Sequence, residues 1–272
     1  MLKKRATTIL LIVLVFIMLI PAGCRKQDDN QLIVGMELAY PPFETTDAAN
    51  QPAGISVDFA RALAESIGAE LVIENMAWTG LIPSLETGKI DLIISSMTIT
   101  EERRQRIDFS DPYARASLAL LINQDSPVMS YADLDHPDRV IAVKRGSTGH
   151  IYAENNLKQA QIMVFEKESA CVLEVVQGKA DAFTYDQLTI LKNWEQYPDE
   201  TRVNLESYQD TPEYWGVGIK KGETGLLEDV NAFIAAYRAE GGFDELAETW
   251  LPDQKEIFDE QNIPFFFDVE TP

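Results

Sequence analysis

Short apolar runs alternate with amphipathic stretches along most of the chain, which is the pattern of strands alternating with helices. A run at 32–36 predicts the first strand, and apolar positions spaced three or four apart at 57–67 predict a helix that Gly68 ends. Similar runs predict strands at 71–73, 90–94, 117–122, 140–143 and 162–165. Helices are predicted at 78–87, 168–177, 187–194, 222–239 and 243–250. The alternation predicts an α/β protein.

The apolar run at 90–94 is followed directly by hydroxyl side chains and then by an arginine. Ser96 and Thr98 come just past the strand, and Arg103 follows five residues after Thr98. Open α/β sheets bind ligands at the carboxyl ends of their strands, and a guanidinium group matches a carboxylate with two parallel hydrogen bonds. These residues favour a site for a small carboxylate, although an ordinary solvated turn has the same composition.

The segment around that strand is repeated ninety positions later. Gly-Lys-Ile-Asp-Leu-Ile at 88–93 recurs as Gly-Lys-Ala-Asp-Ala-Phe at 178–183, and a second polar group that includes Asp186 follows. An internal repeat indicates two similar units, so the sequence predicts two lobes that face each other across a cleft. Arg103 at one edge and Asp186 at the other suit a zwitterion, although Asp186 is also placed to cap the helix that follows.

Several motifs, in this order, resemble the solute-binding proteins that serve polar amino-acid ABC importers. The motifs are Tyr-Pro-Pro-Phe-Glu at 40–44, Gly-Ile-Ser-Val-Asp at 54–58, Trp-Thr-Gly-Leu-Ile-Pro-Ser-Leu at 78–85, Ser-Ser-Met-Thr-Ile-Thr-Glu-Glu-Arg-Arg at 95–104, Asp-Phe-Ser-Asp-Pro-Tyr at 108–113, Gly-Ser-Thr at 146–148 and Gly-Lys-Ala-Asp-Ala at 178–182. The resemblance implies a two-lobed, type II periplasmic-binding-protein-like fold with a mostly parallel sheet in each lobe. Lobe 1 is expected at 32–117 and 216–272 and lobe 2 at 118–215, with two crossing strands as the hinge.

The resemblance also implies which groups hold the main-chain atoms of an amino acid. Arg103, Thr98 and Thr148 match the residues that bind the ligand carboxylate in this family. Asp186, helped by Ser96, matches the acid that takes the ammonium.

The ligand side chain is expected to lie between two aromatic rings with an acid at its far end. Tyr40 and Trp78 match the family's aromatic wall, and Glu37 stands where relatives often carry Asp. Taken alone, Tyr40 is an ordinary turn aromatic and Trp78 an ordinary core residue. An acid beside two rings suits a cation, so arginine, lysine, ornithine or histidine is expected, with glutamine next.

The first residues have the pattern of an export signal. Lys3, Lys4 and Arg5 precede an apolar run at 9–20, which is too short to span a membrane and is followed by Pro-Ala-Gly-Cys at 21–24. The segment at 21–24 resembles a lipobox in which Pro21 replaces the usual aliphatic residue. We therefore expect a signal peptide at 1–23, lipid on Cys24, a tether at 24–31 and attachment to the outer face of a membrane. An ordinary secretory signal with an incidental cysteine is the alternative.

Composition narrows the possible partners. The net charge is −21, and the predicted leader holds basic residues but no acid, so the mature chain is more acidic still. Nucleic acid is therefore not expected as a partner. His136 and His150 lie far apart without ligand spacing, so neither a metal site nor a cofactor is predicted. Cys171, in an apolar helical pattern, is expected to be buried.

The expected protein is a monomer that captures a free amino acid and passes it to ABC permease subunits, with the lipid on Cys24 holding it at the membrane. Two other functions remain open. A cyclohexadienyl or arogenate dehydratase-like enzyme would use Asp186 or Glu37 as its acid, and a sensory module would pass a signal to a membrane partner. The aromatic run at 265–267 lies beyond the usual end of the family and is expected to pack on a lobe or to contact a partner.

Overall fold

The computed structural model describes residues 30–260 and 263–269. The strands are β1 Gln31–Met36, β2 Thr45–Thr46, β3 Pro52–Ala53, β4 Glu70–Asn75, β5 Leu92–Ile93, β6 Asp108–Phe109, β7 Ala114–Ala116, β8 Leu118–Asn123, β9 Val140–Lys144, β10 Gln161–Phe165, β11 Ala182–Asp186, β12 Thr201–Asn204, β13 Glu213–Trp215 and β14 Gly218–Ile219. The predicted leader at 1–23 and Cys24 lie outside the described residues.

The α-helices alternate with these strands. They are α1 Ile55–Ser66, α2 Leu81–Glu86, α3 Glu101–Arg104, α4 Thr148–Asn156, α5 Glu168–Val176, α6 Gln187–Gln196, α7 Thr224–Ala239, α8 Gly242–Trp250 and α9 Gln254–Glu260. Two 3-10 helices, Trp78–Gly80 and Tyr131–Leu134, complete the set. Within the described part of the chain, no helix is both long and apolar enough to cross a membrane.

The two five-stranded sheets have equivalent arrangements of parallel and antiparallel strands. The first is ordered β4-β1-β5-β14-β6 and the second β10-β9-β11-β8-β12. In both sheets the strand in fourth position runs antiparallel to its two neighbours, whereas β1 runs parallel to β5 and β9 parallel to β10 and β11. We call the first sheet with its helices lobe 1 and the second sheet with its helices lobe 2. The two-lobed α/β fold expected from the repeat is confirmed.

The repeated Gly-Lys-x-Asp segments have the same structural role in each lobe. Gly88 and Gly178 both adopt a left-handed backbone, with φ of 71° and 68°, which glycine tolerates without strain. The backbone N–H of Asp91 donates to the Ile33 carbonyl, and its side chain accepts from the Ile33 N–H, both at 2.8 Å. Asp181 does the same at Val140 of β9, also at 2.8 Å. Each repeat thus fastens a strand of its own lobe, β1 in lobe 1 and β9 in lobe 2.

The chain crosses between the lobes twice, through an antiparallel ribbon. β7 leads from lobe 1 into β8 of lobe 2, and β13 leads back into β14 of lobe 1. The two crossing strands pair with each other, with Arg115 opposite Tyr214 and Ala114 opposite Trp215. We call this ribbon the hinge ribbon.

The core and the element boundaries agree with the apolar pattern, with two local differences. Leu92 and Ile93 are fully buried and Cys171 is buried in α5, as the pattern predicts. The helix predicted at 78–87 is divided into a 3-10 turn and α2, because Pro83 lacks an N–H and is best accommodated in the first turn of an α-helix. β5 is also shorter than the predicted run at 90–94, although Ile94 still donates to the Gly35 carbonyl.

Candidate ligand-binding cleft

All eight side chains predicted to bind a ligand line one cleft between the two lobes. They are Glu37, Tyr40, Trp78, Ser96, Thr98, Arg103, Thr148 and Asp186. Seven further residues complete the lining, namely Ser95, Leu118, Lys144, Ser147, Tyr185, Glu213 and Trp215. The carboxyl ends of the strands in both sheets supply many of these groups, which is where open α/β sheets bind ligands.

Arg103 lies at the lobe 1 edge and reaches across to lobe 2. The hydroxyl of Thr100 caps α3 and accepts from the backbone N–H of Arg103 at 3.2 Å. The guanidinium donates to the Thr98 carbonyl at 2.6 Å and to the Gly146 carbonyl of lobe 2 at 3.1 Å. Its side chain is buried, so desolvation lowers the pKa of Arg103, but an arginine stays charged in a protein. A buried cation held by neutral carbonyls is available to a carboxylate.

Thr98 and Thr148 already hold a carboxylate, and it belongs to the protein. Both hydroxyls donate to Oε2 of Glu213, at 3.0 Å and 2.8 Å, and Gln209 donates to Oε1 at 3.1 Å. Burial raises the pKa of Glu213, while these hydrogen bonds and the charge of Arg103 lower it. Glu213 therefore engages the hydroxyls that the sequence assigns to the carboxylate of a ligand.

Asp186 caps a helix and also lines the cleft. It ends β11 and caps α6, where Oδ1 accepts from the Thr189 N–H at 3.0 Å. Oδ2 accepts from the phenol of Tyr40 in lobe 1. Burial raises the pKa of Asp186, and the bonds from Tyr40 and Thr189 oppose that rise. Helix capping and a carboxylate oxygen facing the cleft are therefore compatible.

Ser96 has an unusual backbone at the lobe 1 edge. Its φ of 50° lies in the left-handed region, which is costly for a residue with a side chain and is concentrated at functional sites. Its hydroxyl donates to the two oxygens of Glu44, at 3.0 Å and 3.1 Å. Glu44 is fully buried, and desolvation raises its pKa well above the usual range. With its proton used by Glu44, the Ser96 oxygen is left as an acceptor for an ammonium group.

Glu37 forms an ion pair with a lysine that the sequence analysis did not assign to the site. Lys144 ends β9 in lobe 2, and its Nζ bonds Oε2 of Glu37 across the cleft. Oε1 of Glu37 accepts from the Trp78 N–H at 3.2 Å. The Lys144 ammonium also lies 5.4 Å from the centroid of the Trp78 ring. A protein cation thus contacts the acid and one of the rings that were predicted to recognise a ligand cation.

The two predicted aromatic residues face different neighbours. The Tyr40 ring stacks on Phe43, with centroids 5.2 Å apart, and meets Tyr185 edge-on. Trp78 donates from Nε1 to the Gly146 carbonyl at 3.1 Å, and the Arg103 guanidinium lies 5.2 Å from its ring centroid.

Acids outnumber bases around the cleft. The acids are Glu37, Glu44, Asp186, Glu213 and Glu168, and the bases are Arg103 and Lys144. Glu168 lies half-buried at the start of α5 and accepts from Asn193 at 3.2 Å. Desolvation, with some help from Asp186 and Glu37, raises the pKa of Glu168 to about 7. Where the acids with raised pKa are ionised, the cleft carries excess negative charge, which attracts a ligand with net positive charge.

The residues missed by sequence reasoning had signals of their own. Lys144 is the last residue of β9, so the rule about strand ends that singled out Ser96 and Asp186 applies to it as well. Glu213 and Trp215 lie on β13, within the predicted second crossing. A strand that crosses between the lobes passes beside the cleft that separates them. Glu44 closes the Tyr-Pro-Pro-Phe-Glu motif at 40–44, whereas Glu168 lacks such a signal because only the fold brings it behind the site.

Comparison with known proteins identifies the family. Residues 32–253 match the model of bacterial extracellular solute-binding proteins, family 3. The chain belongs to this family. Within it, the L-arginine-binding protein of Pseudomonas aeruginosa is 30% identical over 230 residues, which cover 82% of this chain and 88% of that protein. Its relatives by sequence include further amino-acid-binding proteins.

Solved structures resemble this solute-binding protein over most of its length. An ancestral arginine-binding protein bound to arginine superposes with a TM-score of 0.76 at 31% identity, covering 82% of this chain and 98% of that chain. An ancestral amino acid-binding protein described as a precursor of cyclohexadienyl dehydratase gives 0.74 at 35% identity, covering 81% and 95%. The type II binding-protein fold expected from the motifs is confirmed. The matching relatives bind solutes, and the family is extracellular.

Proposed function

We propose that this protein captures a free polar L-amino acid, with a cationic side chain preferred, between its two lobes and passes it unchanged to an ABC permease. The observation that carries the proposal is the meeting of Arg103 from lobe 1 and Asp186 from lobe 2 in one cleft. An α-amino acid needs both a cation and an anion for its main-chain groups. Both are buried, at 7% and 5% exposure, so each charge interaction is worth more than it would be at the surface.

In this proposal the ligand carboxylate takes the place of Glu213 among the hydroxyls. Arg103, Thr98 and Thr148 bind the carboxylate, with the guanidinium turning from carbonyl acceptors to a charged acceptor. A hydrogen bond to a charged group contributes about 1.5–3 kcal/mol. Glu213 must move aside or take up a proton, and its raised pKa makes protonation less costly.

The ligand ammonium is assigned to Asp186 and Ser96. Tyr40 now donates to Asp186, and a carboxylate oxygen has room for a second donor. Ser96 supplies a lone pair because its own proton goes to Glu44. Both acceptors therefore offer electron density without rearrangement of the backbone.

The side chain is assigned to Glu37, Trp78 and Tyr40. A guanidinium or ammonium on the ligand competes with Lys144 for Glu37, while a glutamine amide fits between the two charges as donor and acceptor. The excess of acids around the cleft favours the cationic ligand. The arginine-binding relatives, at 30% and 31% identity, support the same choice.

The remaining assignments concern the chain outside the cleft. We assign residues 32–117 and 216–272 to lobe 1, residues 118–215 to lobe 2, and the hinge to the two crossings. Cleavage before Cys24 and lipid on its sulfur would hold the protein beside the permease subunits. Mass spectrometry of the protein from membranes, with and without inhibition of lipoprotein signal peptidase, measures whether Cys24 carries lipid.

A thermal-shift panel tests the proposal. The purified protein is heated with each of the twenty L-amino acids and with ornithine. We expect arginine, lysine, ornithine or histidine to raise Tm by roughly 5–10 °C at a hundredfold excess over Kd, since bound ligand stabilises only the folded state. The N-acetyl and methyl ester forms of the best ligand are matched controls that each lack one charge, and we expect neither to stabilise. Stabilisation by glutamate or by apolar amino acids alone would refute the cationic assignment, and no response to any amino acid would refute the function.

A further inference from the structure

The chain continues past the end of the family match at residue 253, and its described end is rich in buried aromatic rings. We call residues 263–269 the tail segment. Phe265, Phe266 and Phe267 are only 4%, 2% and 9% exposed. The backbone N–H of Phe265 is held by Asp268 at 3.1 Å. The burial of three adjacent rings indicates that the tail segment is an integral part of the folded core.

The tail segment is attached to the hinge ribbon. The Phe266 carbonyl accepts from the Arg115 N–H of β7 at 2.7 Å, on a strand whose other neighbour is β13. Arg238 of α7 adds a second attachment, because it donates to the Phe267 carbonyl at 3.1 Å and to the Tyr113 carbonyl at 3.2 Å. The tail segment thus holds the first crossing strand from its outer side.

Of the three tail rings, Phe266 is the one that packs against rings at the cleft. Its ring lies 5.5 Å from Trp215, which lines the cleft, and 5.3 Å from Phe43. Phe43 in turn stacks on Tyr40, the residue that donates to Asp186 across the cleft. The contacts of Phe265 are with other aromatic residues of the C-terminal region, at 5.8 Å from Phe258 and 6.1 Å from Phe266.

Between the tail segment and lobe 2 the molecule is open. A cavity of about 580 Å³ lies there, bordered by Ile263 and Pro264 on one side and by Leu205 and Ser207 on the other. The tail segment is therefore fastened to lobe 1 and to the hinge ribbon, and lobe 2 retains room to move.

We propose that the tail segment restrains the hinge ribbon in the ligand-holding arrangement, and that Phe266 is the positioning residue through which it acts on the cleft. The inference rests on the proposed function for its ligand, but the restraint itself exists without ligand. Loss of the Phe266 ring frees Trp215 and Phe43 to shift, so the cleft opens more readily and ligand leaves faster. Association changes little, because the charged groups of the cleft are untouched.

Two alanine variants of neighbouring phenylalanines test this. Phe266→Ala and Phe265→Ala remove the same ring from positions of similar burial, so both lower Tm by removing core packing. We expect Phe266→Ala to weaken binding of the best panel ligand about tenfold, mainly through a faster dissociation rate in stopped-flow, within the range by which packing contacts couple to distant sites. Phe265→Ala should change affinity less than about twofold. Phe266→Leu, which keeps apolar bulk, should recover most of the affinity.

Hydrogen exchange in the absence of ligand separates this inference from the proposed function. The Arg115 N–H should exchange faster in Phe266→Ala than in Phe265→Ala, whatever the ligand is. Equal effects of the two variants on exchange and on dissociation, or no effect of either, would overturn the proposal. Faster exchange at Arg115 in a protein that binds no amino acid would uphold the restraint and refute the function.

Discussion

The two edges of the cleft have the same framework, and the repeated segment of each lobe is followed by an opposite charge. In each lobe a glycine with left-handed backbone precedes an aspartate that fastens a neighbouring strand, Asp91 at β1 and Asp181 at β9. Beyond that point the two lobes differ. The lobe 1 strand runs into hydroxyls and Arg103, whereas the lobe 2 strand ends in Asp186. The repeat preserves what the fold needs, and the strand ends carry the two charges that we assign to the ends of an amino acid.

Each edge of the cleft satisfies its charges with groups from the other lobe. Tyr40 donates to Asp186, Lys144 pairs with Glu37, and the guanidinium of Arg103 reaches the Gly146 carbonyl. Buried polar groups need partners, and these groups supply them to one another. In the proposed function a ligand replaces these contacts, and its affinity measures the difference between the two sets.

The largest expected effect comes from removing the cation of lobe 1. Arg103→Ala should weaken binding of the best ligand by at least about a hundredfold, because a buried carboxylate would lose its charged donors and remain partly unpaired. Isothermal titration calorimetry measures the affinity, and circular dichroism with a thermal melt checks the fold.

Arg104→Ala is the matched control for that variant. Arg104 belongs to the same short helix but is exposed, with its guanidinium 5.9 Å from the Phe109 ring. We expect unchanged affinity. Near-normal binding by Arg103→Ala would remove the carboxylate assignment and with it the contrast between the edges.

The second prediction separates the charge of Asp186 from its capping role. Asn caps helices about as well as Asp, so Asp186→Asn should keep α6 and the fold while losing the ion pair with the ligand ammonium. A loss of about 10- to 100-fold in affinity is expected from the usual contribution of a charged hydrogen bond.

Asp181→Asn should do the opposite, since Asp181 belongs to the framework. Its carboxylate accepts from the Val140 N–H, from Ser126 at 2.6 Å and from Arg139 at 3.2 Å. We expect a stability loss of about 1–3 kcal/mol in urea unfolding with ligand affinity little changed. Equal loss of affinity in both variants would contradict the assignment of ligand binding to Asp186 and of structural support to Asp181.

The sequence predicts the framework of each lobe better than it predicts the contacts between the lobes. The framework is local and periodic: apolar runs, a glycine turn and the Gly-Lys-x-Asp repeat lie within short windows, so most of the longer strands and helices are predicted within a few residues. The short strands β6, β12 and β14 are not predicted. The strand-end rule also finds Arg103, Ser96 and Asp186, because each lies in the polar segment that follows a repeated Gly-Lys-x-Asp strand.

What the sequence misses depends on the pairing of the two lobes. The ion pair between Glu37 and Lys144 and the carboxylate of Glu213 between Thr98 and Thr148 join residues far apart in the chain. Each residue alone looks like an ordinary charged position. Glu44 is a further acid near the cleft. Burial raises its pKa, and the residue type alone does not indicate that burial.

The smallest expected effect concerns pH, and it sharpens the contrast in charge. The folded-state pKa of Glu168, about 7, lies above the ordinary value of 4.5. Its contribution to stability is therefore fully present below about pH 4.5 and is lost as pH rises through 7. Burial shifts the pKa of Asp186 and of Glu213 in the same direction. We expect the Tm of the ligand-free protein to fall between pH 5 and pH 8.

The affinity for a cationic ligand should change with pH in the opposite direction to Tm, because the cation favours the ionised form of the acids. Its affinity should rise about three- to fivefold between pH 6 and pH 8, the size of effect that titration of one nearby acid produces. Calorimetry across this range measures it, with Glu168→Gln as the variant that flattens the profile and glutamine as the neutral ligand for comparison. Lys144 and Glu37 face Glu168 as well, so the variant distinguishes their contribution from that of Glu168. An affinity for the cation that falls with rising pH, or a slope unchanged in Glu168→Gln, would contradict the view that the acids near lobe 2 select the charge of the ligand.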